Sequence, residues 1–256
     1  MTGRLAILVF AALTLSLVAG CGDAPWSAER SSDVESTVAV DATGQVEYAP
    51  DVGPEDFVTG IDNPFFPMSP GNGWVYEATT FEGLERVEVT VTDETREVMG
   101  VPVVVVRDTV TVNGEVVEDT YDWFAQDKDG NVWYLGEDSR EYEDGEVVST
   151  EGSWEAGVSG ALPGIMMWAS PEPGEPYRQE YLAGVAEDMA RVIQLDGDAQ
   201  VPFGAFTDVL VTEEWTPLET GQTERKYYVR GVGLVLEEGI KRDRSRLELL
   251  SMIATE

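Results

Sequence analysis

The densest polar chemistry in the sequence runs Tyr121-Asp122-Trp123-Phe124-Ala125-Gln126-Asp127-Lys128-Asp129-Gly130-Asn131, followed by Val132-Trp133-Tyr134-Leu135-Gly136-Glu137. Asp127, Asp129 and Asn131 alternate and offer oxygens of the kind that ligate calcium. The register of a calcium-binding hand is not met. With Gly130 at the obligatory sixth position, the first ligand would be Ala125 and the twelfth Gly136, and neither carries a side-chain oxygen. A looser calcium site on Asp127, Asp129 and Asn131 is the one metal reading. The same residues also make a five-residue hairpin turn, in which Asp and Asn bond their own backbone and glycine takes the left-handed conformation. Glu137, Asp138, Glu141, Glu143, Asp144 and Glu146 follow as an acidic hairpin around Asp144-Gly145. Paired carboxylates can hydrolyse glycosides and tryptophans stack on sugars, so a carboxylate-dependent hydrolase is an alternative function. With 49 acids in the chain such pairs arise everywhere, and solvated acidic turns account for them as well.

What is missing narrows the chemistry further. The 256 residues contain no histidine and one cysteine. That removes Ser-His-Asp and Cys-His catalysis, the usual histidine-containing zinc sites, and any internal disulfide. With 16 basic residues the formal net charge is −33, which repels nucleic-acid phosphates and anionic lipid. No catalytic residues are assigned and the expectation is of a non-enzyme without a cofactor. The basic residues gather once, at Lys241, Arg242, Arg244 and Arg246, where a charged turn before the last strand is the simplest account.

The one cysteine has a context of its own. Arg4 is followed by an apolar or small run from Leu5 to Ala19, and then by Val18-Ala19-Gly20-Cys21. The run is shorter than the roughly 20 residues of a spanning helix, so it reads as a cleaved export signal. Val18 to Cys21 resembles the lipobox of bacterial lipoproteins. The resemblance implies cleavage before Cys21, a diacylglyceryl thioether on its sulfur, and often an acylated amino group. Each buried methylene contributes about 0.8 kcal/mol, so two or three acyl chains anchor durably where one does not. The partner so implied is a membrane, reached through acyl chains on Cys21 at its outer face; the envelope protein or small ligand beyond it is not specified.

The elements that must carry these groups fall into three parts: 1–20 as signal, 21–56 as a lipidated and acidic flexible tether, and 57–256 as a single β domain. Between Asp23 and Asp56 nine acids face one base, Arg30, with no sustained hydrophobic period. Such a tether spans on the order of 30 Å, and its charge extends it. A strand over 38–48, packed on the body, is the alternative for part of it. In the body Val87, Val89 and Val91 alternate with Glu88, Thr90 and Thr92, and a similar alternation runs from Leu247 to Ile253. Asn113-Gly114 and Asp144-Gly145 mark tight hairpins, and Asp129-Gly130 and Asp196-Gly197 look similar. Strands are predicted near 73–81, 85–93, 95–99, 102–112, 115–125, 131–136, 139–143, 146–150, 177–182, 189–195, 199–203, 207–215, 225–237 and 245–253. Connections this short predict an all-β antiparallel meander curled into a barrel or partial barrel, with a two-sheet sandwich as the alternative.

Alternation lapses between Gly152 and Pro176, which predicts a long loop carrying Trp154, Met166, Met167 and Trp168. Those four, with Tyr177 and Tyr181, are the candidate ligand contacts if the 152–176 loop is a lid over an apolar ligand. The competing expectation is that Trp154 and Ile165 to Trp168 plug the open end of the sheet as core.

Several phrases resemble a family of exported, uncharacterised bacterial proteins: Asn63-Pro64-Phe65-Phe66-Pro67 with Trp74-Val75-Tyr76-Glu77, Asp122-Trp123-Phe124-Ala125-Gln126-Asp127, Gly152-Ser153-Trp154-Glu155-Ala156-Gly157, Tyr177-Arg178-Gln179-Glu180-Tyr181, Glu214-Trp215-Thr216-Pro217-Leu218, and Lys226-Tyr227-Tyr228 with Gly231-Val232-Gly233-Leu234-Val235. The last phrase also resembles β-rich exported proteins of the TapB-like type. The resemblance implies an antiparallel β fold and carries no activity. The expectation is therefore a lipid-anchored extracytoplasmic lipoprotein acting as a non-catalytic binding or scaffolding module. The alternative is a carrier of an apolar ligand in a partial barrel.

Overall fold

The computed structural model describes residues 48–219, 221–240 and 245–255. Cys21, the signal segment, nearly all of the tether and residues 241–244, where a charged turn is expected, lie outside the described residues. From Val52 onward the described chain packs as one unit. A 3-10 turn, Pro54–Asp56, leads into β1 (Phe57–Val58), and then come β2 (Gly73–Thr79), β3 (Leu84–Val98), β4 (Val101–Val112), β5 (Glu115–Asp127), β6 (Val132–Glu143) and β7 (Glu146–Ser149). The chain continues through β8 (Trp154–Glu155), β9 (Leu162–Met167), β10 (Tyr177–Arg178), β11 (Glu180–Tyr181), β12 (Met189–Val201), β13 (Gly204–Trp215), β14 (Glu224–Val229), β15 (Gly233–Gly239) and β16 (Arg246–Ile253).

These strands pair antiparallel in the order β10-β12-β13-β14-β15-β16-β2-β3-β4-β5-β6-β9-β11. The two ends of that order, β10 and β11, belong to one stretch of chain, 177–181. The sheet therefore returns to itself and nearly closes into a barrel, as the meander predicts, and does not split into a sandwich. The inward face follows the alternation. Val87, Val89 and Val91 are buried, with Trp74 and Tyr76 opposite Val89 and Val87 on β2. Burying each large apolar side chain contributes roughly 1.5–3 kcal/mol, and the core formed this way is continuous around the barrel.

Turn chemistry sets the register. Asn113-Gly114 and Asp144-Gly145 have φ of 52° with 88° and 52° with 79°, the left-handed pair a two-residue hairpin requires. Asp196-Gly197 does not turn. It lies within β12, where a register shift flanks Gly197, whose missing Cβ would stand 3.0 Å from the Val209 carbonyl oxygen. The chain reverses instead at 202–203. The predicted break at 93–95 falls in a bulge within β3, and β6 runs unbroken through the predicted break at 136–139, its register shift lying between Tyr134 and Gly136, so each pair of predicted strands is one long strand. In β16 a register shift between Leu249 and Ser251 reverses the alternation. Leu247 and Leu249 are buried, Met252 packs on the core, and Ile253 is 67% exposed.

The loop predicted over 152–176 is corrected. Trp154–Glu155 pairs with β6, and Leu162–Met167 is a strand that pairs with β6 on one side and β11 on the other. Gly157, Ser159 and Gly160 supply the irregular backbone between them, and Pro163 and Gly164 break the alternation without breaking the strand. At one end of the barrel, residues 61–68 tuck in as a plug. The Asn63 side chain donates to the Gly130 and Trp168 carbonyls at 3.0 and 3.2 Å, and its Oδ1 accepts from the Phe65 amide. Phe66 then stands edge-on to Phe124, with ring centres 5.1 Å apart, and Phe124 stacks on Tyr134 at 4.8 Å.

Candidate functional site

The inward parity that buries Phe124 also buries acids. On β5 the same face carries Glu118, Thr120 and Asp122. Thr120 sits opposite Asp108 of β4 and Ser139 of β6, and Asp122 sits opposite Glu137. Asp108, Glu118, Asp122, Glu137 and Glu180 are all buried. Thr120 Oγ1 donates to Glu118 Oε1 at 3.0 Å or to Ser139 Oγ at 2.9 Å, and Tyr134 donates to Asp122 Oδ1 at 2.6 Å. Both oxygens of Asp108, Glu137 and Glu180, and Oδ2 of Asp122, are enclosed without a hydrogen-bond partner in the protein. The Tyr134 hydroxyl stands beside Glu137, and the Trp154 indole and Asp188 amide beside Glu180. None of these reaches hydrogen-bond geometry.

No Lys or Arg pairs with any of these five acids among the described residues, and burial disfavours the charged carboxylate. Burial, with further help from Glu141, raises Glu118 to about 7. Burial also raises Asp122 to about 7, against the pull of the Tyr134 hydrogen bond. Asp108, Glu137 and Glu180 lie well above the carboxylate range, through burial first and through neighbouring acids second: Asp122 and Glu118 act on Asp108, Glu180 and Asp122 on Glu137, and Asp188 and Asp122 on Glu180. Half-buried Asp188 is pushed up to about 7 by the same desolvation.

A second group on the same face is built around a cation. Lys226 on β14 is buried and lies 3.0 Å from Glu214, 3.3 Å from Glu224 and 3.9 Å from Glu237. Burial pulls the Lys226 ammonium down, but the three carboxylates outweigh it and hold the group well above its ordinary value. Glu214 also accepts from Thr212 at 2.7 Å. Lys226, Tyr76, Tyr228, Trp74 and Phe66 line a small cavity of about 20 Å³, room for one water. No group of three or more acids is arranged to hold a metal ion among the described residues.

The residues predicted as ligand contacts come together at the closing seam, mostly as core. Trp154, Met166 and Met167 are buried; Trp154 meets Tyr134 edge-on at 5.3 Å, and the Gln179 amide donates to the Met166 sulfur at 3.6 Å. Trp168 meets Tyr177 edge-on at 5.5 Å, and the Arg178 guanidinium lies 4.4 Å from the Tyr181 ring centre; these three aromatic side chains are half-buried. Asp127 is a hub of turn contacts. Its Oδ1 accepts from the Asp129 and Asn131 amides at 3.0 and 2.9 Å, and its Oδ2 from the Asn131 side chain and Trp133 indole at 2.8 Å each. Asn131 Oδ1 accepts from the Ala169 amide, and Asp129 is exposed. The oxygens that would ligate calcium thus face hydrogen-bond donors. Sequence reasoning missed the buried acids and assigned Glu137 to a solvated turn, whereas it is 1% exposed. The available signal was parity, since Asp122 is two residues from Phe124 and Asp108 lies between Val106 and Val110.

On the outer surface a concavity of about 420 Å³ is lined by Arg191, Glu213, Trp215, Thr216, Gln222 and Thr223, among others. Arg191 pairs with Glu213 at 2.5 Å and lies 5.9 Å from the Trp215 ring centre. No family model matches the sequence, and no curated protein matches it. Among solved structures the chain is similar to a protein from Bacteroides fragilis named as exported and of YmcC-like fold. They share 17% identity at a TM-score of 0.43, over 74% of this chain and 99% of that one. It is also similar to a protein from Parabacteroides distasonis named as a lipoprotein, with 13% identity and a TM-score of 0.39, over 75% of this chain and 99% of that one.

Proposed function

We propose that the protein is a lipid-anchored extracytoplasmic lipoprotein whose barrel is a non-catalytic binding or scaffolding module that works through its outer surface. The observation that carries this reading is the filling of the barrel. The interior positions a carrier would leave open hold Phe66, Phe124, Tyr134, Trp154 and Met167, all buried. The small-ligand size class, roughly 300–1,000 Å³, is met instead by the outer concavity beside Trp215, at about 420 Å³. Its mix of indole, guanidinium, carboxylate, amide and hydroxyl groups suits a polar ligand better than an apolar one. The anchor reading rests on Val18 to Cys21 and on the run before it.

Native mass spectrometry of the detergent-extracted protein tests both parts. The expected mass is that of the chain from Cys21 with its acyl groups and no further molecule, and Cys21→Ser moves the protein out of the membrane fraction. A stoichiometric apolar molecule released into organic solvent overturns the filled-barrel reading in favour of a carrier. Retention of Cys21→Ser in the membrane overturns the anchor.

A further inference from the structure

The barrel is closed by two of its shortest strands. β10 and β11 have two residues each. Tyr177 and Arg178 pair with Ala190 and Met189 of β12, and Glu180 and Tyr181 pair with Pro163 and Leu162 of β9. The approach is close, because a Cβ on Gly164 would stand 2.3 Å from the Gln179 carbonyl carbon and oxygen. Two register pairs on each side hold together what the long hairpins elsewhere hold with many.

At this seam the chain buries Glu180. Every element packed around it adds acid or nothing. β6 brings Glu137 and the Tyr134 hydroxyl, and β5 brings Asp122, with Glu118 near Glu137 and Asp108 of β4 beyond them. β8 offers the uncharged Trp154 indole, and β9 contributes no titratable side chain. Asp188 follows on the same stretch of chain, where Glu224 and Glu214 raise it and Lys226 lowers it. The cations nearby point elsewhere: Arg178 lies over Tyr181 and 3.8 Å from Glu187, Arg191 pairs with Glu213, and Lys226 is held by Glu214, Glu224 and Glu237.

We propose that this seam is a proton-set latch: with the Glu137 and Glu180 carboxyls neutral the barrel is closed, and with charge on them the β10–β11 segment parts from its neighbours and uncovers the acid-lined interior. The charge of Glu180 reaches Glu137, enclosed carboxylates repel in a medium that screens them little, and their repulsion acts on the weakest pairing in the sheet. Acid closes the latch and alkali opens it. The latch works whatever the outer surface binds.

Amide hydrogen exchange on the full chain, read by mass spectrometry from about pH 5 to about pH 8 and corrected for intrinsic exchange, tests it. Each unit of carboxyl pKa shift corresponds to about a tenfold change in the equilibrium. Protection over 162–167 and 177–190 is therefore expected to fall at least tenfold across that range, while the β3–β4 hairpin holds constant. Glu180→Gln, neutral at every pH, should keep the seam protected throughout, and Glu137→Gln serves as the second variant if the first does not fold. Seam protection that ignores pH, an equal loss in β3–β4, or a wild-type pH profile in the glutamine variant would each overturn the latch.

Discussion

Asp127 shows how one side chain can be mistaken for a ligand. Its two oxygens collect four donors from residues two to six positions ahead, which fixes the turn between β5 and β6 and orients Trp133. Asp127→Ala leaves those donors to find water or go unmet, at about 1–3 kcal/mol, and should lower the melting temperature by several degrees. Added calcium should leave the wild-type melting temperature unchanged, and a rise reversed by chelator would restore the calcium reading. The alternation Asp127-x-Asp129-x-Asn131 was legible, but which donors it served was not, because Trp133 and Ala169 reach it only once the strands are paired. The buried acids were hidden for a related reason. Glu137 is chemically identical to the exposed Glu143, and only register against Asp122 places it inside.

Among the elements, hairpins with a left-handed dipeptide could be read directly from sequence, since that turn chemistry is local. The strands that close the sheet could not. β9 carries Pro163 and Gly164 in a stretch that reads as loop, and the glycine is there because the Gln179 backbone lies against it. Gly164→Ala is therefore expected to disrupt the β9–β11 pairing selectively. Limited proteolysis should cut within 157–190 while the β2 to β5 meander stays intact. Unaltered resistance would mean that the close approach is not what closes the barrel. The same reasoning explains the plug, whose Asn63 bonds span more than sixty positions in sequence and so leave no local trace.

For the whole molecule, the net charge of −33 is an overstatement of what the folded interior carries. Asp108, Glu118, Asp122, Glu137 and Glu180 all have carboxyls raised by burial, Glu118 and Asp122 to about 7, so the native state binds more protons than the unfolded chain above about pH 4. Stability from these groups is complete below the unfolded carboxylate values and is lost as pH rises through the folded ones, the reverse of ordinary acid denaturation. Surface self-repulsion has the same sign but is screened by salt, whereas enclosed groups are screened much less. The decisive measurement is urea unfolding at about pH 4.5 to about pH 8 in about 1 M salt, where the screening length is about 3 Å. A free energy of unfolding that falls steadily as pH rises is the predicted result; one that rises with pH, or stays level, would contradict a barrel built around neutral acids.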